Sequence, residues 1–465
     1  MTKVLLFGMD GGEPSLVFEK WRDLLPNIKK LMENGSYARM NSTIPPNTIV
    51  AWNSMISGRD TSELGVFSYT YKTPSGETRL VSSQNLRCKV MWDIIGEYNK
   101  RSIGLFVPLS YPVHPIRGCL VSDFLTPDIE SNCAYPESLK EKIKKLGNTE
   151  VFFDVVAGLA EHKHLDPEDL IKRAYLMTDM QFTLLKDLFH NEKWDFFMAV
   201  MLGTDRLQHM LWRHFDETHR RFIANSPYHD AIKNYYIYID AKLGELLSAL
   251  DDDTVIIVAS DHGMIKQEGK ININNWLIEQ GYLVLHKDVD LSQKQRFSSS
   301  FINMEKTIAY GSGAYNARVF INKQIVGSRY PKISEEIIQK LKSIPDDKGN
   351  PLDTKVYKAE DIYKNTSDPN CPDLTVYFDD LRWASNPDLG LSGLYSWESA
   401  MGADSAGHSR QGFFVISGKK IKKKGMMPDI DICQVAPTVM KILQVPIPSD
   451  LKVKPLEVFT YGLFS

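Results

Sequence analysis

Along the chain, short apolar runs alternate with stretches in which apolar positions recur every three or four residues. The runs predict strands buried on both faces, and the periodic stretches predict amphipathic helices. Strands are expected at Lys3 to Met9 (KVLLFGM), Ser102 to Val107, Trp194 to Leu202 (WDFFMAVML), Thr254 to Ala259 (TVIIVA) and Gly412 to Ser417 (GFFVIS). Leu25 to Asn34 predicts a helix stopped by Gly35, and Val90 to Tyr98, Tyr235 to Leu250 and Asp431 to Leu443 predict others. Asp166 to Asn191 is a long helical stretch that begins with the helix-initiating pair Asp-Pro. This order predicts an α/β fold: a mostly parallel central sheet with helices on both faces.

From Ile265 to Ala400 the texture changes to shorter elements: strand Ala314 to Asn322, helix Ser334 to Ser343, strands Lys355 to Ala359 and Asp373 to Phe378, with Ser292 to Ser300 a loop. We read residues 265–400 as a small α+β cap inserted into a core built from 1–264 and 401–465. Composition narrows the picture little. Of 465 residues, 43% are hydrophobic and 24% charged, as in an ordinary globular enzyme, and the net charge of −3 gives no field for nucleic-acid polymers or anionic membranes. No apolar run has the roughly 20 residues a membrane helix needs, and Met1 to Gly12 reads as a first strand rather than a signal peptide. Five scattered cysteines without a CxxC pair suit a reducing, cytoplasmic setting and argue against a thiolate metal site. The basic run Lys419 to Lys424 reads as a solvated loop, although it could attract an anionic substrate.

In open α/β sheets, ligands collect beyond the carboxyl ends of the strands. The first predicted strand ends in MDGG with Asp10, the Trp194 strand in GTDRLQH with Asp205 and His209, and the Thr254 strand in SDHG with Asp261 and His262. Any one of these carboxylates alone would suit a helix N-cap. Three together, two of them with histidines, point to metal, because converging carboxylates repel unless cations neutralise them. If Asp205 starts a helix, His209 lies one turn on along the same face. A glycine- and alanine-rich loop, Gly402 to Ser409, presents His408 just before the last predicted strand. His114, His162, His164 and His190 lack such context and read as structural. The stretch IPPNTIVAW sets Thr48 at the start of a helix running to about Ile56, as its N-cap or as a nucleophile beside N–H groups that favour an anion.

In chain order, MDGG, PPNTIVAWNSMISG, GTDRLQHMLW, SDHGM and GHSRQG resemble the alkaline phosphatase superfamily, closest to its type I phosphodiesterase/nucleotide pyrophosphatase branch. Ser110 to Pro112 and Thr126-Pro127 are similar to segments of prokaryotic members. The resemblance implies an alkaline phosphatase-like fold and two divalent metal ions, zinc or alternatively manganese. It assigns Asp205, His209 and His408 to one ion, and Asp10, Asp261, His262 and the Thr48 oxygen to the other. It further implies hydrolysis of small phosphodiesters or pyrophosphates through a phosphothreonine at Thr48. One departure stands out. Where many relatives carry an asparagine that binds a phosphoryl oxygen, this chain reads LGVFSYT, Leu64 to Thr70. The backbone N–H of Ile49, or Tyr69, is the expected substitute.

A phosphomonoesterase or phosphomutase would share the metals but typically uses serine. A sulfatase would need a Cys/Ser-x-Pro-x-Arg segment, which is missing, and a non-catalytic relative would have lost a ligand or the nucleophile. Trp52, Phe67, Tyr69, Tyr111 and Trp212 could wall a substrate, with Tyr69 and Tyr111 the candidates for substrate contact, or could pack in the core.

Overall fold

The structure is a computed structural model describing residues 2–73, 77–156, 166–397, 405–422 and 424–459. Among these residues ten strands form one sheet. At its centre lie five mutually parallel strands in the order Thr254–Ala259, Lys3–Met9, Phe196–Met201, Ser102–Leu105 and Gly118–Val121. Their β-branched and aromatic runs are what a strand covered on both faces requires. Along the first strand, Leu5, Phe7 and Met9 enter one hydrophobic cluster, while Val4 and Leu6 enter the other. Helices Pro26–Asn34, Pro167–Asn191, Gly203–Phe215 and Ala231–Leu247 close the first cluster. Helices Thr48–Ser57, Met91–Glu97 and Val435–Ile442 close the second.

Next to Thr254–Ala259, strand Gln411–Ser417 runs antiparallel, and Ser36–Asn41 runs antiparallel to that strand in turn. Two reversals matter for the site. Gln411 therefore starts at the edge where the parallel strands finish, and Asn41 ends there. Ser36–Asn41 was not anticipated, because SYARMN is not an apolar run: its residues alternate between buried and accessible at the sheet margin. Also unanticipated were Gly118–Val121 and an antiparallel pair, Gly263–Lys266 with Ala406–Ser409, that continues past the sheet edge.

Residues 269–396 build two smaller sheets around a separate hydrophobic cluster. One is four-stranded, in the order Ala309–Ser312, Ala317–Ile321, Leu374–Tyr377, Lys355–Lys358, and the other is three-stranded. Helix Tyr330–Lys342 packs Ile337, Ile338 and Leu341 into that cluster. It begins four residues before the expected Ser334, because Pro331 serves its first turn. This segment is called the cap below.

The basic run lies at the opposite end of the sheet. Lys419 bonds Asp252 and Lys420 bonds Thr2, both just before strands begin, so it is not placed to attract a substrate at the carboxyl edge. Lys423, His162, His164 and the Gly402 to Asp404 part of the glycine-rich loop lie outside the described residues. No helix among the described residues is long and apolar enough to cross a membrane.

Candidate metal centre

Five segments reach the carboxyl edge of the sheet, and the side chains they carry meet there. Asp10 follows the first strand, with its N–H on the Met201 carbonyl at 3.0 Å. The next residue, Gly11, has φ +65, and a Cβ there would stand 3.1 Å from Asp205, so glycine serves both the turn and the close approach. Asp205 sits in the first turn of helix Gly203–Phe215, and His209 lies one turn on, its Nε2 at 3.2 Å from Asp205 Oδ1. Asp261 and His262 leave the Thr254 strand, with His262 Nε2 3.2 Å from Asp261 Oδ2 and 3.8 Å from Asp10 Oδ1. His408 comes from the strand paired with Gly263–Lys266. Its Nε2 lies 3.1 Å from His209 Nε2 and 3.6 Å from Asp205 Oδ1.

Each of these histidines has its other nitrogen on a backbone carbonyl: His209 Nδ1 on Ala406 at 2.8 Å, His408 Nδ1 on Pro46 at 2.9 Å, His262 Nδ1 on Gly263 at 3.0 Å. A carbonyl only accepts, so Nδ1 carries the proton and Nε2 presents a lone pair to the cluster. The facing carboxylate oxygens, Asp10 Oδ1, Asp205 Oδ1 and Asp261 Oδ2, are buried and have no hydrogen-bond donor among the described residues. Lone pairs therefore face lone pairs among buried atoms. That arrangement is costly unless a cation sits among them. Tetrahedral ligands about 2.0–2.1 Å from an ion stand about 3.3 Å apart, close to the spacings here. The donor set fits a divalent ion in two overlapping groups, Asp205 with His209 and His408, and Asp10 with Asp205 and His262.

The protonation tendencies agree. Burial, then repulsion from Asp205, pushes the Asp10 carboxyl far above the usual range, and burial with Asp10 and Asp205 does the same to Asp261. Burial also opposes the charge of Asp205, but His209, His408 and Arg206 outweigh it and hold that carboxyl low. Burial pushes His262 down to about 4 and His408 well below the ordinary value, so both are neutral donors at neutral pH.

Thr48 is the first residue of helix Thr48–Ser57, which is capped by Asn47: its Oδ1 accepts the Val50 N–H at 3.4 Å. Thr48 is therefore not the cap. Its Oγ1 is buried, 3.2 Å from His262 Nε2 and beside the Tyr69 phenol, which burial holds above its usual pKa. The Val50 and Ala51 N–H groups go to Asn47, which leaves the Ile49 N–H for an anion beside Thr48. Tyr111 is fixed through its backbone, its N–H on the Asp123 carboxylate and its carbonyl on the Ser83 N–H. Of the other aromatics, Trp52 is fully buried and donates to Asp10 Oδ2 at 2.7 Å, Trp212 bonds Asp216, and Phe67 packs on Tyr363. Trp52→Phe removes that donor and leaves a small void where the second ring of the indole was. Urea unfolding of the chelator-treated variant is expected to show a loss of about 1–3 kcal/mol.

Several residues of the centre were missed. Arg206 forks onto Asp154, with Nε–Oδ1 at 3.0 Å and Nη2–Oδ2 at 2.8 Å, and places Nη1 3.4 Å from Asp205 Oδ2. Glu13 accepts from the Met264 N–H and the Ser409 hydroxyl, tying together the two strands that carry His262 and His408. Tyr315 comes from the cap and stacks on His209, with ring centroids 5.0 Å apart. Only the position of Arg206 next to Asp205 gave a sequence signal. Glu13 and Tyr315 act through long-range contacts.

Similarity to known proteins agrees with this geometry. Among solved structures, murine ectonucleotide pyrophosphatase/phosphodiesterase 5 is similar over 96% of this chain and 95% of its own, with TM-score 0.56 and 12% identity. The human protein of the same name gives 96%, 95%, 0.56 and 13%. An inactive variant of the murine protein in complex with AMP gives 96%, 96%, 0.57 and 12%. At such identities the likeness shows a shared fold. No curated protein sequence matches the chain. The sequence profile of type I phosphodiesterase/nucleotide pyrophosphatase, however, matches residues 4–400. With most of its length so matched, the chain belongs to this family of phosphodiester and pyrophosphate hydrolases.

Proposed function

We propose that the protein hydrolyses small phosphodiesters or pyrophosphates through a phosphothreonine at Thr48. The observation that carries this is the position of Thr48 Oγ1, relieved of capping and 3.2 Å from His262 Nε2 at the edge of the unpaired carboxylate oxygens. Two divalent ions, zinc or manganese, held by Asp205, His209 and His408 and by Asp10, Asp261, His262 and Thr48, with Asp205 close enough to serve both, would supply Lewis-acid charge to the attacking and leaving oxygens. The chain does the rest. Thr48 Oγ1 attacks phosphorus in line as its proton passes to solvent, and the leaving alkoxide or phosphate goes from the opposite face and takes up a proton from solvent. The Ile49 N–H and the Tyr69 phenol hold nonbridging oxygens, in place of the asparagine that the LGVFSYT segment lacks. Water then attacks the phosphothreonine from the side the leaving group vacated and restores the hydroxyl.

A second reading, phosphomonoesterase or phosphomutase, would use the same metal ligands and the same edge of the sheet. Five unpaired cysteines support a cytoplasmic setting. The test is elemental analysis with a panel of diesters, pyrophosphates and monoesters. We expect two transition-metal ions per chain, activity lost on chelation, and kcat/KM higher for diesters than monoesters. Full activity after exhaustive chelation, with no stoichiometric metal, would sink the proposal. A monoester preference would select the second reading.

A further inference from the structure

Most cations near the carboxyl edge are neutralised by acids. In the 490 Å³ cavity behind the Gly263–Lys266 pair, Arg39 pairs with Glu19, Lys266 with Glu268, Arg382 with Asp379 and Arg410 with Asp380. Two cations between cap and core differ. Arg318 lies on strand Ala317–Ile321, on the face opposite the buried Ala317, Val319 and Ile321. Its Nη1 reaches only as far as the Phe67 carbonyl, at 3.5 Å. Lys72 Nζ donates to the Tyr310 hydroxyl at 2.9 Å and sits 4.5 Å from that ring's centroid. Tyr310 pairs with Phe320, one pleat along from Arg318 on the same face, and the Tyr310 phenol that Lys72 bonds is near enough to interact electrostatically with Arg318. Among the described residues, neither forms an ion pair with a carboxylate. Arg318 keeps partial solvent contact, yet the packing around its guanidinium strips enough water to push it down to about 10. A cation desolvated without a counter-charge is unfavourable by itself.

Three contacts tie this face to the reaction centre. Tyr315, three residues before Arg318 and so within about 11 Å of it along the backbone, stacks over His209 and lies 4.6 Å from the His408 ring. Phe67, which meets Arg318, is two residues from Tyr69, the phenol beside Thr48. Tyr363, edge-on to Phe67, donates to the Ile44 carbonyl four residues before Thr48.

We infer that Arg318 and Lys72 form an anion-binding subsite that receives a second negatively charged group, carboxylate or phosphate, on the ester arm that stays with the reacting phosphorus. The substrate is then a phosphoester with at least one further anionic substituent. This rests on the phosphoester reading above. It also goes beyond that reading, because the two cations lie outside the metal and nucleophile set.

The test uses the metal-loaded enzyme and three p-nitrophenyl phosphodiesters whose second arm is propyl, carboxypropyl or phosphonopropyl. Charge-assisted contacts in a partly dehydrated site predict at least about a tenfold higher kcat/KM for a charged arm over the neutral one. The ratio between the two charged arms tells carboxylate from phosphate recognition. In Arg318→Met and Lys72→Met the charged-to-neutral ratio should fall towards one, and Arg318→Lys should restore part of it. A purely structural role would lower all three substrates together and leave the ratio in place. The same arms built as non-hydrolysable methylphosphonate monoesters give an independent readout by calorimetry. A charged-arm binding preference lost in Arg318→Met, without turnover of any diester, would keep the subsite and reject the hydrolase reading. Turnover and binding indifferent to arm charge would reject the subsite and leave that reading standing.

Discussion

Thr48→Ala is expected to lower kcat by roughly 10⁴-fold or more, the scale seen when a covalent nucleophile is removed. The fold should hardly respond. Asn47 keeps the helix capped, and the loss of one hydroxyl and one methyl group costs on the order of 1 kcal/mol. Metal content should also persist, because Asp10, Asp205, His209, Asp261, His262 and His408 are untouched. Thr48→Ser should retain activity, since serine offers the same hydroxyl at the same helix position. Phosphorus stereochemistry sharpens the test. Two in-line displacements through a phosphothreonine retain configuration in a chiral thiophosphate diester, whereas a single attack by water inverts it. Inversion, or wild-type rates from Thr48→Ala, would show direct hydrolysis and leave Thr48 a bystander 3.2 Å from His262.

Much of the site was legible because its chemistry sits at the ends of strands with strong periodic signals. Lys3–Met9 and Thr254–Ala259 fall where their apolar runs predict, and Asp10 follows at once while Asp261 follows after Ser260. The meeting of Asp205 with His209 follows from helical spacing alone. Elements stabilised chiefly by distant partners were not legible. Ser36–Asn41 is a strand because Gln411–Ser417 pairs with it some 370 residues later, and nothing in SYARMN announces that. Gly263–Lys266 is likewise fixed by Ala406–Ser409. Thr48 and Asn47 are both good capping residues, and only backbone geometry shows that Asn47 takes the role. Tyr315 reaches the centre from the cap, whose short elements carry no periodic signal pointing at a metal.

Asp205→Ala should remove more metal than His408→Ala, even though each deletes a single ligand. A division into two separate ligand sets would make the two substitutions equivalent, each emptying one position. In the structure, however, Asp205 lies within reach of both groups, with His209 and His408 on one side and Asp10 and His262 on the other. His408 offers its ligand atom only to the first group, with Nε2 at 3.1 Å from His209 Nε2 and 3.6 Å from Asp205 Oδ1, while its ring stacks on His262 at 3.7 Å. Elemental analysis should therefore find about one ion per chain in His408→Ala and close to none in Asp205→Ala. Stability gives a second readout, since an ion that binds only the folded chain adds about 4 kcal/mol when its concentration is a thousand times Kd. The zinc-dependent rise in Tm should roughly halve in His408→Ala and vanish in Asp205→Ala. Arg206 stays anchored in either variant, because its fork is on Asp154, so loss of metal from Asp205→Ala cannot be blamed on a collapsed guanidinium. Two ions retained by Asp205→Ala would remove Asp205 from the centre and return the overlap of the two groups to mere proximity.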